Sequence, residues 1–505
     1  MGKILSLDEL EPVLGLQRSL GRKIVLCHGV FDLFHPGHLE HLEEAKSLGD
    51  ILVVTITPDK YVNKGPGTPR FNEKIRMKMV ASKELVDYVA LSETPTAVEI
   101  IQRLKPTFYC KGSDYNNQSS DITGKIKDER EAVELVGGQL HITHSKINYS
   151  STSLLNQYFD VFPRETREFL SNFRKKFPLE PLLDRLDSLK NLKVLVIGDT
   201  IIDHYIYCSM LGASPKDNIV TARYIGEETF AGGVLAVANN ISALCNNVKL
   251  VTIVGPDGWE PFIREHLKEE VSMPEIFIGD LPTVVKTKYV EPDSLTKMFG
   301  ITSIGDRPHN KELRDRIRTY LDKYMRDFDF IVVCDFGHGL IDTELAEFLS
   351  SEAKYLVANA QTNSANMGFN PITRYLSADY ISIDELELRL ANKDRFSRIE
   401  GLMVELRHLL GCKLLTITRG KHGSLTLEAP NNLVEVPSLS VDIVDRVGAG
   451  DAFLAMSAPC AFKEFEPEVV GFIGNVAGAL KVRTVNNKEP ISKIQLYKYI
   501  TTLLK

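Results

Sequence analysis

Residues 23–50 read KIVLCHGVFDLFHPGHLEHLEEAKSLGD. The opening run, Lys23 to Cys27, is apolar and suits a buried strand. From Gly37 to Leu48 the apolar positions Leu39, Leu42, Ala45 and Leu48 recur at helical spacing. Between strand and helix stand His35, Pro36, Gly37 and His38. Proline suits the first turn of a helix, and glycine lets a ligand approach the backbone. A helix N-terminus offers amides without helical partners and a positive dipole end, which favour phosphate. Imidazoles placed there can donate hydrogen bonds to phosphate oxygens as charge builds. In open parallel sheets ligands gather at the C-terminal ends of strands, where this turn lies. These residue types therefore predict a phosphate site on an α/β frame. Two other readings stay open: a metal shared by His35, His38 and His41, or ordinary surface histidines at a helix start.

The flanking sequence extends that frame. Ile51 to Ile56 reads as a second strand, Arg70 to Lys83 as a helix, and Phe108 to Cys110 as a later strand. Strands alternating with helices predict a parallel sheet with crossovers. The pattern changes after Tyr149–Asn156. Phe159 to Leu192 is rich in charge, with Phe, Leu and Arg at helical spacing in ETREFLSNFRKKF. Strand signal resumes at KVLVI, Lys193 to Ile197, and returns in KLVTIV, DFIVVC, KYLVA and LLTIT. The expected division is a first domain over residues 1–157, a helical linker over 158–191 and a second α/β domain over 192–505. A chain of 505 residues exceeds what one core organises, so more than one domain is required.

Composition excludes several classes. Hydrophobic residues make up 43% and charged residues 25%, which rules out general disorder and fibrous repeats. Lys and Arg number 60 against 67 acids, so no nucleic-acid footprint is expected. No apolar run approaches the ~20 residues that span a bilayer, so no membrane partner is expected. The seven cysteines are scattered without a CxxC pair, which predicts a reducing, cytoplasmic setting and no structural zinc site.

A second chemical segment lies near the C-terminus: DRVGAGDAF, Asp445 to Phe453. Small residues before an apolar helical run let backbone amides of Ala449 and Gly450 cradle an anion. Asp451, just beyond, could take a proton from an attacking hydroxyl. Taken alone, GAGD could equally be a plain glycine turn capped by an acid. No GxxxxGK[ST] loop occurs, so any nucleotide phosphate must be held by this cradle.

The first block resembles the HxGH nucleotidylyltransferases, in GVFDLFHPGHLEHLEEAKSLGD, KGPGTPRFNEKIRMKMV, KGSDY and YSSTSLL. That resemblance implies a Rossmann-like, cytidylyltransferase-like domain using ATP or CTP with Mg²⁺. It implies that His35 and His38 stabilise the pentacovalent transition state and that Lys46 contacts the triphosphate. It further implies nucleotide contacts from Asp32, Gly37, Arg76, Lys111, Ser151, Thr152 and Ser153. His28 stands where relatives often carry Asn, Thr or Tyr, which leaves the choice of base open.

The second block resembles the ribokinase-like carbohydrate kinases. The matching segments are IGDTIIDHY, FAGGVLAVANN, VCDFGHG, DELE, TRGKHGS and the GAGD turn. The resemblance implies substrate contacts from Asp199, Asp203, Gly232, Gly233 and Asp335. It implies ATP contacts from Thr418, Gly420, Gly423, Ala449, Gly450 and Asn475. Asp451 would be the general base, and Glu387 would support Mg²⁺, through water. Lys216, in SPKD where relatives have SPE, is expected to face a substrate phosphate or another anion. ANAQTN, which reaches Asn363, replaces a DPK segment of the relatives.

Together the blocks resemble the bifunctional heptose-phosphate kinase/adenylyltransferases, with the order of domains reversed. The implied activity is phosphorylation of a sugar or sugar phosphate and nucleotidyl transfer to a sugar-1-phosphate. Its implied partners are sugar phosphates and nucleoside triphosphates, and its implied assembly is a homo-oligomer. The alternative is a cytidylyltransferase for an alditol or sugar phosphate, whose kinase-like domain serves another substrate or a regulatory ligand.

Overall fold

The computed structural model describes residues 2–62, 67–94, 96–112, 125–144, 162–305, 307–441 and 443–505. They form two compact units, Met1–Pro163 with Tyr497–Lys505, and Arg164–Leu496.

The first unit is a six-stranded parallel sheet. Its strands are β1 (Lys3–Ile4), β2 (Ile24–Gly29), β3 (Ile51–Ile56), β4 (Tyr88–Leu91), β5 (Phe108–Lys111) and β6 (Gln139–Ile142), in spatial order β1-β4-β3-β2-β5-β6. Residues of β2 alternate between two cores. Ile24 and Leu26 pack with Leu10 and Leu14 of the first helix, whereas Val25 and Cys27 pack with Leu42 and Ala45 of the helix Pro36–Ser47. Burial on both faces is why the strand reads as a continuous apolar run rather than an alternation. The strand order reverses between β2 and β5, which makes the end of β2 a topological switch point.

The second unit begins with helices Arg164–Lys176 and Leu179–Asp187, the segment expected as a linker. They pack on this unit: Phe173 stacks on Phe472 at 4.2 Å, and Arg185 pairs with Glu466 at 2.7 Å. The chain continues through β7 (Lys193–Gly198), β8 (Thr200–Ala213), β9 (Val220–Gly233), β10 (Asn247–Val251), β11 (Ile253–Val254), β12 (Val271–Ser272) and β13 (Phe277–Ile278). Next come β14 (Val284–Glu291), β15 (Thr296–Ser303), β16 (Phe330–Asp335), β17 (Leu356–Ala360) and β18 (Tyr380–Asp384). The last strands are β19 (Leu414–Thr418), β20 (Ser424–Glu428) and β21 (Asn432–Val436).

Nine of these strands form the main sheet, ordered β12-β10-β7-β16-β17-β18-β19-β20-β21, parallel as far as β19. A smaller sheet, β15-β14-β8-β9, is built on two 14-residue strands. The helix Ala449–Phe462 is apolar all round, AGDAFLAMSAPCAF, and is buried from Ala452 to Ala461. Only its first turn faces open space. The order around β7 reverses between β10 and β16, so the ends of β7 and β16 lie at this sheet's switch point.

Candidate functional sites

In the first unit the chain leaves β2 through a strained turn. Phe31 (φ 51°) and Leu33 (φ 44°) are both left-handed without being glycine. Such conformations persist when neighbouring contacts hold them, and they cluster at functional sites. Here Asp32 is the clasp. It is buried between them, and its carboxylate accepts from the amides of Arg70 (2.8 Å) and Phe71 (3.2 Å). Asp32, expected as a nucleotide contact, thus fixes the 70–71 segment beside the histidines.

His35 caps the helix Pro36–Ser47 in extended conformation, with Pro36 and Gly37 as its first residues. The His35 and His38 rings stack at 3.9 Å between centroids. Phe31 and Phe34 flank His38 at 5.2 and 5.5 Å. The two imidazoles thus stand together at the positive end of a helix. Among the described residues no cluster of three or more His, Cys, Asp or Glu has a metal-holding arrangement. His41 bonds Thr143 Oγ1 at 2.7 Å, and burial, aided by the Lys111 charge, pushes its pKa down to about 4.

Two expected contacts are corrected by geometry. Lys46 lies in the last turn of the helix, about 12 Å along its axis from His38 at 1.5 Å per residue. Its ammonium pairs with Asp87 at 2.6 Å and donates to the Asp50 carbonyl at 2.7 Å. Arg76 is fully buried. Its guanidinium donates to the carbonyls of Phe71, Val30 and Thr57 and to Asp59 at 2.6 Å, tying the ends of β2 and β3 together. Lys46→Ala is accordingly expected to leave nucleotide affinity within about two-fold and to lower stability by about 1 kcal/mol, the scale of a half-exposed ion pair. Nucleotide titration and thermal melting check both.

Lys111, at the end of β5, is buried and pairs with Glu129 at 3.0 Å, which also accepts from Tyr109 at 3.1 Å. Ser151, Thr152 and Ser153 lie outside the described residues.

In the second unit most of the predicted nucleotide residues line one cleft of about 680 Å³. Thr418, Gly420, Gly423, Ala449, Gly450 and Asn475 all border it, with Asp451 and Glu387. Gly448 precedes the helix with φ +80°, a conformation open to glycine at little strain. A Cβ there would also come within 2.6 Å of Asn487 Oδ1. At the helix start the Ala449 amide makes only a long hydrogen bond, to the Arg446 carbonyl at 3.5 Å, and Gly448, Ala449 and Gly450 border the cleft. Gln361 donates to Asp451 Oδ1 at 2.8 Å. Burial pushes the Asp451 carboxyl up to about 6. Glu387 closes a capping box, accepting from the amides of Asp384 (2.8 Å) and Thr362 (2.9 Å). Burial, then the Asp384 charge, holds its carboxyl well above the usual range.

The acids expected at the sugar divide into two kinds. Asp203 faces cations: Lys288 reaches it at 3.2 Å, and Lys286 pairs with it in register across β14 and β8. Gly232 permits this approach, since a Cβ would sit 2.5 Å from Asp203 Oδ2. Gly233, at φ +56°, lies against the Asp199 carbonyl in the same way. Asp199 instead organises a loop. It accepts from the amides of Phe336, His338 and Leu340, each at 3.1 Å, and burial raises its carboxyl to about 6. Asp335 is corrected. It is wholly buried and bound by Asn370, Arg374 and Tyr375, which makes it a brace of the core rather than a wall of the cleft.

Lys216 is corrected as well. It is exposed at the tip of the β8–β9 ribbon, ten or more residues beyond Asp203, about 30 Å along an extended strand. Sequence reasoning missed Gln361, Lys286 and Lys288. The two lysines carried a signal, for residues two apart on a strand share one face, and VVKTKYVE sets both on the side of Asp203. Gln361 had none, because its partner lies 90 residues away.

Residues 191–494 match the family model of pfkB family carbohydrate kinases, more than half of the chain. The chain belongs to that family. Residues 26–157, ahead of this pfkB domain, match the model described as cytidylyltransferase-like. Both domains are of enzyme families, in the order expected. Curated relatives named "Bifunctional protein HldE" include one from Aliarcobacter butzleri, 39% identical over 139 residues, covering 27% of this chain and 29% of that protein. Another, from Geobacter metallireducens, is 32% identical over 165 residues, covering 32% of each. The chain thus spans about a third of the length of the curated relatives it matches. A putative ribokinase from Agrobacterium tumefaciens is similar in structure, with a TM-score of 0.50 at 15% identity over 62% of this chain and 98% of the other, which supports the fold of the pfkB domain.

Proposed function

We propose that the chain is a bifunctional enzyme that phosphorylates a sugar or sugar phosphate with ATP and transfers a nucleotidyl group to a sugar-1-phosphate. The observation that carries this reading is Asp451, a carboxylate raised to about 6 beside a glycine turn and a helix start at the mouth of the cleft. A base with that pKa is ionised at neutral pH and still holds a proton well enough to accept one. As the sugar oxygen bonds to the γ-phosphorus, its proton passes to Asp451. The bond from that phosphorus to the β-bridging oxygen breaks and ADP leaves. The amides of Ala449 and Gly450 hold the transferring oxygens. Lys286 and Lys288 beside Asp203 give the acceptor pocket a cationic wall, suited to a substrate that carries its own phosphate.

Mg²⁺ fits the donor set. Glu387, Asp384 and Asp451 border the cleft and offer only oxygens, the donor type that Mg²⁺ takes. Glu387 would hold the ion, through water, with the ATP phosphates as its other ligands. The ion would supply charge neutralisation at those phosphates.

In the first unit a phosphate oxygen of the acceptor attacks the α-phosphorus of ATP or CTP, and pyrophosphate leaves. His35, His38 and the helix amides stabilise the charge of the five-coordinate state. The resemblance of the two blocks to the heptose-phosphate kinase/adenylyltransferases favours an ADP-linked heptose-like product. The expected assembly is a homo-oligomer through the smaller sheet of the second unit, which exposes Met210, Leu211, Val220, Tyr224, Phe299 and Ile301. Among the described residues no helix is long and apolar enough to cross a membrane. All seven cysteines are buried thiols, in keeping with a reducing cytoplasm.

The test is pyrophosphate release with ATP or CTP against a panel of sugar-1-phosphates and glycerol phosphate. Release with ATP and a heptose-1-phosphate is the expected result. Release only with CTP and an alditol phosphate would replace the sugar reading by a cytidylyltransferase.

A further inference from the structure

Lys481 ends the helix Pro467–Lys481, which packs on the helix Ala449–Phe462, and only 2% of the residue is exposed. Its Cε lies 3.3 Å from where a Cβ on Gly448 would stand, so the side chain passes directly behind the glycine turn. Its ammonium, with three donors, makes one described hydrogen bond, to the Glu489 carbonyl at 3.2 Å.

Four acids face it: Asp451 in the first turn of the neighbouring helix, Asp445 before that helix, Asp203 on β8, and Glu489. The first three are engaged elsewhere. Asp451 takes Gln361, Asp445 takes Lys297 at 2.6 Å and Tyr205 at 3.1 Å, and Asp203 takes Lys288. On its other side a cavity of about 410 Å³ presents His266, Lys268 and the Glu228–Lys488 pair to the same space. In that cavity wall the Asn487 side-chain oxygen is buried with no partner among the described residues.

A Leu or Met would fill this volume without the penalty of burying a charge. The cation instead stands behind the Gly448–Gly450 turn, which borders the nucleotide cleft. We propose that Lys481 is a positioning residue for phosphoryl transfer, its charge acting through the Gly448–Gly450 turn to make that cradle hold the terminal phosphate of ATP. The proposal rests on the reading of this turn as the phosphate cradle. Burial lowers the Lys481 pKa to about 8, so the cradle loses this charge as pH rises through that value.

The experiment is calorimetric titration of the full chain with Mg²⁺ and either ADP or the β,γ-imido analogue of ATP, at pH 7 and pH 9. Wild type is compared with Lys481→Met and Lys481→Arg, and thermal melts establish that each variant is folded. The expected result is a loss of about ten-fold in affinity for the triphosphate in Lys481→Met, with ADP changed less than about three-fold, as for one charged contact. Lys481→Arg restores the preference for triphosphate. From pH 7 to pH 9 that preference falls further in wild type than in either variant, which see the same ionisation of the ligands.

A Lys481→Met protein that prefers triphosphate as wild type does, with the same pH response, overturns the proposal alone. Wild type that binds ADP and gains nothing from the third phosphate overturns the cradle reading, and the proposal with it. Wild type that binds neither nucleotide overturns the assignment of the cleft itself.

Discussion

Asp451→Asn removes phosphoryl transfer, by about 10³-fold or more, and leaves nucleotidyl transfer by the same chain unchanged. The magnitude is that of losing a positioned general base, about 10²–10⁴-fold. Asparagine keeps the shape and still accepts the Gln361 hydrogen bond, so the loss reports the proton acceptor and not a collapsed site. The same change stabilises the fold. The carboxyl is raised from 3.8 to about 6, chiefly by burial, so the folded state binds this proton more tightly than the unfolded chain does. The penalty is absent below about pH 4, grows as pH rises through 4 to 6, and is complete above that. Asparagine relieves it, by about 3 kcal/mol. Thermal melts at pH 8 are expected to show the gain, and melts at pH 4 to show none. In wild type, kinase turnover falls as pH drops through about 6, because the base is then protonated.

His38→Ala is expected to have the opposite selectivity. Nucleotidyl transfer falls by about 10²–10³-fold, the loss seen when one donor to a developing oxyanion is removed, and ADP formation by the kinase half is unaffected. His38 stacks on His35 at 3.9 Å and is flanked by Phe31 and Phe34, so the substitution also loosens His35. The double variant His35→Ala/His38→Ala is therefore expected to lose less than the product of the single losses. Pyrophosphate release and ADP release, assayed on the same preparations, separate the two activities.

Much of this arrangement was legible in the sequence because it is local. HPGH opens a helix within four residues, six residues after its strand ends, and GAGD opens another within four. In both the chemistry follows from residue type and one turn of backbone. The helix that follows each motif was equally plain from apolar spacing. The errors came from distance. Lys46 belongs to the same motif as His38, yet two helical turns carry it to the opposite end, where Asp87 takes it.

Asp335 ends a strand at a switch point, the expected position for a ligand contact. Asn370, Arg374 and Tyr375, contributed 35 to 40 residues later, enclose it. Arg76, expected as a nucleotide contact, has its donors taken by four groups from three segments. Lys216 was placed in the sugar pocket because SPKD resembles a pocket segment. The 14-residue strands of the β8–β9 ribbon carry it far out into solvent. Gln361 and Lys481 were invisible for the converse reason. A lone Gln in a loop and a lone Lys closing an apolar helix acquire meaning only from Asp451 and Gly448, which packing brings to them.

The central claim is that one chain carries two phosphate chemistries in two units. The most direct measurement is the mass of the product formed when wild type, Asp451→Asn and His38→Ala are each given ATP, CTP, Mg²⁺, inorganic pyrophosphatase and a heptose phosphate. Wild type is predicted to yield the doubly phosphorylated sugar from the heptose phosphate, and a nucleotide-linked sugar when the sugar-1-phosphate is supplied. Asp451→Asn is predicted to yield nothing from the unactivated phosphate and to recover when the sugar-1-phosphate is supplied. His38→Ala is predicted to stop at the doubly phosphorylated sugar. Wild type that forms no phosphorylated and no nucleotide-linked sugar, or variants that both form the full product, would contradict the account.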